Sequence, residues 1–551
     1  MEKYDVAIIG GGSTGTAVAR DCAMRGLKTI LVEKGDIGSG TTGTCMGMIH
    51  GGFRYLLPPH SDPQLVTEMC KESGIIQKIA PHLVFKIPYL QLITKSVDEK
   101  GLEKLIKMYK YLDYFHKMKN THSHTYLSKE DTLKLEPNLN KDAFFGAFYT
   151  EEWGVDVFRL VVATAVSAKE HGAEIRTHTK VIDILRKGDE IVGIKVRNMF
   201  NGKIEEIRAS IVVNAAGAWV PIIAKMAGVE YKLRPTKGVH VFLDRRITNF
   251  GIIAEAIDGH YLVLLPHENT MMLGDTDDDY FGDPDDVKPT FDEVEYLLKS
   301  MEKFVPKIRE ARVIRAMAGL RPLLFRWGIP ESDITRRDEI VDHEERDGLK
   351  GFITIGGGKM VTMRLIGEKV TNLICKKFGI KEKCHTHEEP LPGAEKDVDV
   401  LKIAEKYRLP PRVVERIVHR HGSRAEQILK YTKNNPEWKS TICTCEPVIE
   451  AEIRYVIREE FARTIDDIKR RTRLGMGPCQ GCFCTVKAAH IISDELKLPI
   501  KETHKLILDF LRERWKGKQS VLRCYQMSQE ELTQSIYMMV ANYDRLIDMV
   551  E

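Results

Sequence analysis

The first 33 residues carry the pattern that most constrains how this chain folds. An apolar run over 4–9 is typical of a buried parallel strand, and a glycine-rich turn over 10–15 follows it at once. A helical stretch over 16–25 and a second apolar run over 29–32 come next, and the second run ends at the acidic residue Glu33. This order of strand, turn, helix, strand and acid predicts a βαβ unit that holds the pyrophosphate of a dinucleotide.

The individual residues of the turn fit that prediction. Gly10 permits the tight turn, Gly12 lets the backbone approach the pyrophosphate, and Gly15 permits close packing of the helix on the strand. The helix N-terminus adds partial positive charge for the phosphates, and Glu33 is placed to accept hydrogen bonds from a ribose. These residues do not by themselves separate FAD from NAD.

Length and composition limit the remaining choices. A chain of 551 residues is too long for one core, so we expect two to four domains. The 83 basic and 79 acidic residues nearly balance, which predicts no general affinity for nucleic acid. The chain does not open with the pattern of a signal peptide, and no apolar run approaches the roughly 18 residues of a membrane span. We therefore expect a cytoplasmic protein whose eleven cysteines are thiols and ligands rather than disulfides.

A second informative pattern, rich in cysteine, lies near the C-terminus. Cys443 and Cys445 form a Cys-x-Cys pair, and Cys479 and Cys482 form a Cys-x2-Cys pair with Cys484 close behind. Two such pairs can converge as four thiolates, which select soft centres such as zinc or iron–sulfur clusters. A zinc ribbon more usually reads Cys-x2-Cys twice, and the first pair departs from that spacing. A nucleotide site and a redox cluster on one chain together predict electron transfer.

The segment that follows the second strand favours FAD. Residues 39–55 are small, polar and glycine-rich, where an NAD domain normally continues into another crossover helix. The segment resembles that of FAD-dependent glycerol-3-phosphate dehydrogenases, and 50–56, which reads HGGFRYL, keeps the second half of the family pattern. Gly43 departs from the serine-rich first half. Further segments are similar to those of the same family: 212–219, 234–240, 274–277 (with Asp275 a departure), 319–322 and 356–362.

This resemblance implies a set of catalytic residues. His240 is the candidate base, which its chemistry supports because the unperturbed pKa of histidine lies nearest neutrality. Arg321, framed by Gly319 and Pro322, is the principal candidate for binding the substrate phosphate, since arginine recognises phosphate with two parallel hydrogen bonds. The other implied members are Arg54, Tyr55, Lys359 near the flavin pyrimidine edge, and Arg337, whose role adjacent Arg336 could take instead.

The resemblance also implies the residues that contact FAD. Together with the glycine turn they are Gly10, Gly12, Ser13, Thr14, Gly15, Glu33, Lys34, Ser39, Gly40, Thr41, Thr42, His50, Gly51, Gly52, Val181, Ala216, Gly217, Gly357, Gly358, Met360, Val361 and Thr362.

The relatives implied at the C-terminus are the catalytic subunits of the anaerobic-type enzyme, which add a ferredoxin-like [2Fe–2S] domain. The generic spacing, as in bacterioferritin-associated ferredoxin, gives Cys443, Cys445, Cys479 and Cys482 as ligands. The nearer relatives favour Cys484 in place of Cys482 as the fourth ligand. The nearby basic run 469–473 is predicted to be a solvated face or a docking edge.

The predicted fold is α/β: a Rossmann-like FAD-binding domain interleaved with an α+β substrate domain of the D-amino-acid-oxidase (glutathione-reductase-2) type. Within it we expect a helix over 153–171 and strands over 180–196. The predicted parts are 1–385 for the two interleaved domains (nucleotide parts about 1–56, 154–225 and 350–380), 386–436 for a linker and helical segment, 437–494 for the cluster domain and 495–551 for a helical tail.

The predicted function is oxidation of sn-glycerol 3-phosphate to glycerone phosphate, with electrons leaving FAD through the [2Fe–2S] cluster. The acceptor is expected to be a partner subunit, either a flavoprotein or a quinone-reducing module, which would also bring the chain to the inner face of the membrane. One alternative keeps the fold and changes the substrate to a 2-hydroxy acid, such as 2-hydroxyglutarate, or a secondary amine. Another is a non-catalytic electron-relay subunit.

Overall fold

The computed structural model describes residues 3–56 and 61–541. Its strands are β1 Lys3–Ile9, β2 Thr29–Val32, β3 Val84–Ile93, β4 Thr125–Ser128, β5 Gly146–Val155, β6 Glu174–Arg176, β7 Thr179–Lys187, β8 Glu190–Asn198, β9 Ile204–Asn214, β10 Leu233–Leu243, β11 Gly251–Glu255, β12 Tyr261–His267, β13 Thr270–Gly274, β14 Asp278–Asp279, β15 Val313–Leu324, β16 Asp338–Asp342, β17 Phe352–Gly357, β18 Thr441–Cys443 and β19 Val448–Ile449.

The α-helices of the same described residues are α1 Ser13–Met24, α2 Pro63–Ile79, α3 Glu99–Lys119, α4 Lys129–Leu135, α5 Val157–Glu170, α6 Val220–Met226, α7 Phe291–Glu302, α8 His343–Asp347, α9 Met363–Phe378, α10 Val400–Tyr407, α11 Pro411–His421, α12 Ala425–Asn434, α13 Glu450–Glu459, α14 Ile465–Thr472, α15 Thr485–Leu496, α16 Ile500–Lys518 and α17 Tyr525–Ala541.

The first sheet is the predicted nucleotide-binding sheet. Its strands run in the order β16–β17–β9–β1–β2–β6, and β17, β9, β1, β2 and β6 are parallel. The β7–β8 hairpin joins the sheet through β8, which pairs antiparallel with β9. Val6 and Ile8 of β1 and Val18 of α1 are fully buried in one core. The predicted βαβ unit is therefore confirmed.

The second sheet has nine strands in the order β14–β10–β13–β12–β11–β3–β5–β4, with β15 paired antiparallel to β10. Strand β10 lies between β13 and β15, and its residue His240 is opposite Gly274 on one side and Met317 on the other. Since its strands alternate along the chain with those of the first sheet, the predicted interleaving of two domains is confirmed.

One expected boundary differs. The helix predicted over 153–171 begins at Val157, because β5 continues its pairing with β3 as far as Val155. Asp156 then caps the helix, with its carboxylate accepting from the backbone N–H of Arg159. The strands expected over 180–196 are present as β7 and β8.

The C-terminal body is helical. Helices α10 to α16 and the short β18–β19 pair share one core, to which Val414, Ile428, Ile453 and Phe510 contribute buried side chains. Helices before and after residue 437 therefore pack together, and the separate cluster domain over 437–494 stays a prediction. The last ten residues of the expected tail lie outside the described residues. Among the described helices, none is both long and apolar enough to cross a membrane.

Buried ion pairs join this body to the nucleotide domain. The Arg471 guanidinium donates two hydrogen bonds of 2.7 Å to the Asp36 carboxylate, and both side chains are fully buried. Arg159 donates to Glu460 at 2.5 and 3.0 Å. The prediction that 469–473 is a solvated face is wrong, because Lys469, Arg471 and Arg473 are buried.

Candidate active site

The two sheets and the C-terminal body enclose a cavity of about 2780 Å³. It opens at the carboxyl ends of β1 and β2, where ligands bind in open α/β sheets. Of the predicted FAD contacts, Gly15, Gly51 and Thr362 do not line it. Those that do are Gly10, Gly12, Ser13, Thr14, Glu33, Lys34, Ser39, Gly40, Thr41, Thr42, His50, Gly52, Val181, Ala216, Gly217, Gly357, Gly358, Met360 and Val361.

The phosphate end of the cavity is built from glycine. Gly10 has φ +111°, and a side chain there would lie 2.5 Å from the carbonyl oxygen of Ala215. A side chain at Gly15 would overlap the carbonyl of Gly10, which explains how α1 packs so close to β1. Gly12 precedes helix α1 as its N-cap without a side-chain bond, and the Ser13 N–H donates to Thr42 Oγ1 at 3.0 Å. This turn fits a pyrophosphate.

Glu33 is held at the predicted ribose position. Its carboxylate accepts from the backbone N–H of Gly11 at 2.7 Å and of Gly35 at 2.8 Å. Burial raises the pKa of the Glu33 carboxyl, and these two backbone donors oppose that rise. Because the two donors fix the carboxylate at the cavity wall, it remains able to accept from a ribose hydroxyl.

His240 lies at the other end of the cavity. Its side chain is buried, and neither ring nitrogen has a hydrogen-bond partner among the described residues. A side chain at Gly274, the neighbour across the strand pair, would overlap the imidazole ring, so this glycine leaves room for the ring. Burial lowers the pKa of His240 to about 4, with Arg321 adding to the fall and Asp275 opposing it. The imidazole is therefore neutral near pH 7 and able to accept a proton.

Arg321 lies beside His240 on the adjacent strand β15. Its guanidinium donates to Asp277 Oδ1 at 3.0 Å, to the carbonyl of Thr276 at 2.9 Å, and to Asp275. Burial works to raise the pKa of the Asp275 carboxyl, but Arg321 and His240 outweigh it and bring that pKa to about 2. Gly238 makes room for Arg321, because a side chain there would lie 2.5 Å from the guanidinium.

The structure distinguishes Arg336 from Arg337, between which the sequence alone did not decide. Arg336 is buried, lines the cavity and donates to Asp277 Oδ2 at 3.0 Å, while its Nη1 has no partner among the described residues. Arg337 does not line the cavity. Its Nε and Nη2 each donate to the Asp62 carboxylate at 2.6 Å. Of the two, Arg336 is therefore the one that lies at the cavity, and Arg337 lies outside it.

Tyr55 is buried between two cations. The Arg54 guanidinium lies 5.2 Å and the Lys359 ammonium 5.1 Å from the centre of its ring. Burial works to raise the pKa of the Tyr55 hydroxyl, but Lys359 and Arg54 outweigh it and lower that pKa. Burial lowers the pKa of Lys359. This end of the cavity has more cationic side chains than carboxylates, so it favours an anion. The carboxylates are Asp275 and Asp277, and the cations are Arg54, Arg321, Arg336 and Lys359.

Sequence reasoning missed the part that Asp275 and Asp277 play. They belong to the acid-rich stretch 275–286, which reads as a turn and does not show which carboxylates point inward. It also missed the contact of Lys34 with Trp219, whose ring centre lies 3.9 Å from the ammonium, and the bond from Trp219 Nε1 to Asp285 at 2.9 Å.

The predicted cluster ligands converge in the C-terminal body. Cys445 and Cys479 have their sulfurs 3.7 Å apart, and Cys443 lies close enough to Cys484 for the Cys484 thiol to lower the pKa of Cys443. Cys484 is also close to Cys445 and Cys479, and Cys482 is close to Cys479 while accepting from Arg514 Nη2 at 3.4 Å. These neighbouring thiols fit a thiolate-bound centre, with Cys482 and Cys484 both near enough to be its fourth ligand.

Comparison with known proteins agrees with this geometry. A family model described as "FAD dependent oxidoreductase" matches residues 5–373, and one described as "C-terminal domain of alpha-glycerophosphate oxidase" matches 384–503. The chain is similar to the A1 subunit of the anaerobic glycerol-3-phosphate dehydrogenase of Haloferax volcanii, at 36% identity covering 98% of this chain and 91% of the relative. It is also similar to the A-type subunit of the anaerobic enzyme of Escherichia coli K12, at 34% identity covering 97% of this chain and 96% of the relative.

Among solved structures, the glycerol-3-phosphate dehydrogenase of Bacillus halodurans complexed with FAD superposes with a TM-score of 0.75. The match covers 95% of this chain and 97% of that chain, at 22% identity. This likeness concerns the fold, and it confirms the predicted fold class.

Proposed function

Because this chain belongs to the family of FAD-dependent oxidoreductases and, within it, to the A-type subunits of anaerobic glycerol-3-phosphate dehydrogenases, we propose that it oxidises sn-glycerol 3-phosphate to glycerone phosphate. The observation that carries the proposal is a buried, neutral histidine beside a cluster of cations. His240 can take up a proton, and the surrounding charge favours an anionic substrate.

The oxidation of a secondary alcohol requires a base for its hydroxyl proton. His240 supplies that base, because its pKa of about 4 leaves the imidazole unprotonated at neutral pH and neither nitrogen is occupied by another described residue. The imidazolium that forms is stabilised by the Asp275 carboxylate, which raises the pKa of His240 against the effect of burial.

The phosphate group is bound by arginine. Arg321 and Arg336 already share the carboxylate of Asp277, which holds both guanidiniums in place and leaves Arg336 Nη1 for the substrate. Arg54 lines the same part of the cavity and is exposed to it. Charge-assisted bonds of this kind fix the phosphate and with it the orientation of the carbinol carbon.

Lys359 and the phosphate turn serve the cofactor. Lys359 is a half-buried cation on the turn between β17 and α9, where its charge suits an electron-rich flavin edge. FAD, when bound, would accept the hydride, and a [2Fe–2S] cluster, when bound by Cys443, Cys445, Cys479 and Cys484, would accept electrons singly for transfer to another chain.

A partner subunit fits the C-terminal surface. The related proteins are named as one lettered subunit of an anaerobic enzyme, which implies further subunits there. In this chain Phe483, between two of the predicted ligand positions, has 76% of its surface exposed. An exposed aromatic beside the thiols is suited to contact with an electron-accepting flavoprotein or quinone-reducing subunit, which would also provide any association with a membrane.

The decisive experiment is an anaerobic titration of purified, FAD-loaded protein with glycerol 3-phosphate, followed by the flavin absorbance. We expect stoichiometric bleaching by glycerol 3-phosphate, and much weaker bleaching by 2-hydroxyglutarate or a secondary amine such as proline at equal concentration. If one of those compounds bleaches the flavin more strongly than glycerol 3-phosphate does, that compound is the substrate and the proposal is wrong. No bleaching by any of them would indicate a non-catalytic electron-relay subunit.

A further inference from the structure

Three side chains at the end of helix α3 converge away from the catalytic residues. Asp113 and His116 lie one turn apart on α3, and His124 lies in the segment that leads from α3 to β4. His116 is buried, and Asp113 and His124 are half-buried. One carboxylate oxygen and one nitrogen from each ring lie within 4.8 Å of one another.

The distances among these atoms match those of ligands around a small cation. His116 Nε2 is 2.7 Å from His124 Nδ1, His124 Nδ1 is 3.2 Å from Asp113 Oδ1, and Asp113 Oδ1 is 3.9 Å from His116 Nε2. Ligands bound tetrahedrally to zinc at its usual bond lengths lie about 3.3 Å from one another. The three observed separations average close to that value.

Contacts outside this triangle hold the three groups in place. The second nitrogen of His116, Nδ1, lies 2.5 Å from Thr121 Oγ1, and the backbone N–H of His124 donates to Asp113 Oδ1 at 2.9 Å. Asn120 ends α3 in the left-handed conformation, which turns the chain back so that His124 faces the helix it has just left. Metal-binding histidines commonly use the second ring nitrogen in this way.

The surrounding charges are compatible with a cation. Lys119, the nearest buried ammonium, is bound to the Glu152 carboxylate at 2.7 Å. The Asp113 carboxylate contributes one negative charge to the group of three. His124 also lines the large cavity, from which water can reach the fourth ligand position.

We propose that Asp113, His116 and His124 bind one divalent transition-metal ion, with Zn²⁺ the best match to two imidazoles and one carboxylate. The ion joins the end of α3 to the segment before β4. It thereby fixes the part of the cavity wall in which Tyr109 stacks on Phe148 at 3.8 Å between ring centres.

The test uses the full-length, FAD-loaded protein after treatment with a chelator. Zn²⁺ is titrated in competition with a chromophoric chelator, and Co²⁺ then serves as a spectroscopic probe. Cobalt bound by nitrogen and oxygen shows visible d–d bands without the near-ultraviolet thiolate-to-metal band, which distinguishes this site from the C-terminal cysteines.

We expect one nitrogen- and oxygen-bound Co²⁺ per chain. His116→Ala and His124→Ala should each weaken Zn²⁺ binding by at least about tenfold. The matched control is His122→Ala, which removes an imidazole two residues away that is 77% exposed and bonded to Glu151 rather than to the triangle. It should leave the affinity unchanged.

The proposal is overturned if wild-type protein shows only thiolate-bound cobalt, or if His124→Ala keeps the nitrogen- and oxygen-bound Co²⁺ bands of wild type. If the alanine variants fail to fold, Asp113→Glu and His124→Asp each replace one ligand by another, so they should bind Co²⁺ with shifted d–d bands. Unshifted bands in both would equally overturn it.

Discussion

Replacing Arg336 by alanine tests the substrate site most directly, because its neighbour Arg337 is a matched control. Arg336 donates one bond to Asp277 and has a second nitrogen without a partner among the described residues, which we assign to the substrate phosphate. Losing one charge-assisted hydrogen bond to that phosphate costs about 1.5–3 kcal/mol. Arg336→Ala should therefore lower kcat/KM for glycerol 3-phosphate by about 10- to 150-fold.

Glycerol separates a loss of phosphate recognition from a general loss of catalysis. Both substrates are assayed with a small dye as electron acceptor, so that no partner subunit is needed. Because glycerol has no phosphate, its kcat/KM should change by less than about twofold in Arg336→Ala. Arg336→Lys should be intermediate, since lysine keeps the charge but not the planar fork.

Arg337→Ala should leave the kinetics of both substrates unchanged. Its ion pair with Asp62 lies outside the cavity and is partly exposed, so its loss should cost at most about 1 kcal/mol of stability. Equal losses for glycerol 3-phosphate and glycerol in Arg336→Ala, or a larger kinetic effect from Arg337→Ala, would refute the assignment of these two arginines.

Three other variants test the remaining assignments. His240→Ala should slow single-turnover flavin reduction by roughly 100-fold or more. In wild-type protein with glycerol, which has no phosphate to titrate, kcat/KM should fall on the acid side near pH 4, where His240 becomes protonated; a fall near 6.5 would argue against His240 as the base. Cys484→Ser should remove iron from anaerobically purified protein while FAD stays bound, and Cys482→Ser should keep both iron and FAD. If iron analysis gives the reverse result, Cys482 is the fourth ligand in place of Cys484. Arg471→Ala should cost about 1.5–3 kcal/mol in chemical denaturation, because it leaves the buried Asp36 carboxylate with only the bond from Arg470; a loss below 1 kcal/mol would contradict this.

The nucleotide end could be predicted from sequence because its determinants are local. Gly10 and Gly15 are required by a turn and by a helix–strand contact that lie within six residues of each other. The order of apolar runs around them determines that the strands are parallel. His240 was identified by resemblance, but the absence of partners for its ring nitrogens among the described residues depends on Gly274, which only the pairing of β10 with β13 brings opposite.

Where the sequence left a choice open or gave a wrong prediction, the deciding partner lay far along the chain. Nothing in the local sequence distinguishes Arg336 from Arg337, and the choice is made by Asp62 on one side and Asp277 on the other. The basic run 469–473 looks like a solvated face because its charges are adjacent. Its main partner, Asp36, is more than 400 residues away, so burial of that run could not be inferred from charge spacing.

Asp36 also links the stability of the two halves to the cofactor site. It follows Glu33 by three residues, and the loop between them includes Gly35, whose N–H holds the Glu33 carboxylate. Arg470 and Arg471 of α14 both donate to Asp36 at 2.7 Å, so the C-terminal body fixes the far end of the same loop. A shift of α14 would therefore move Asp36 and, through the short loop, the Glu33 carboxylate that is placed for the ribose. The C-terminal body thus supports the cofactor site independently of whether its thiols carry electrons, and Arg471→Ala should weaken FAD retention as well as lower stability.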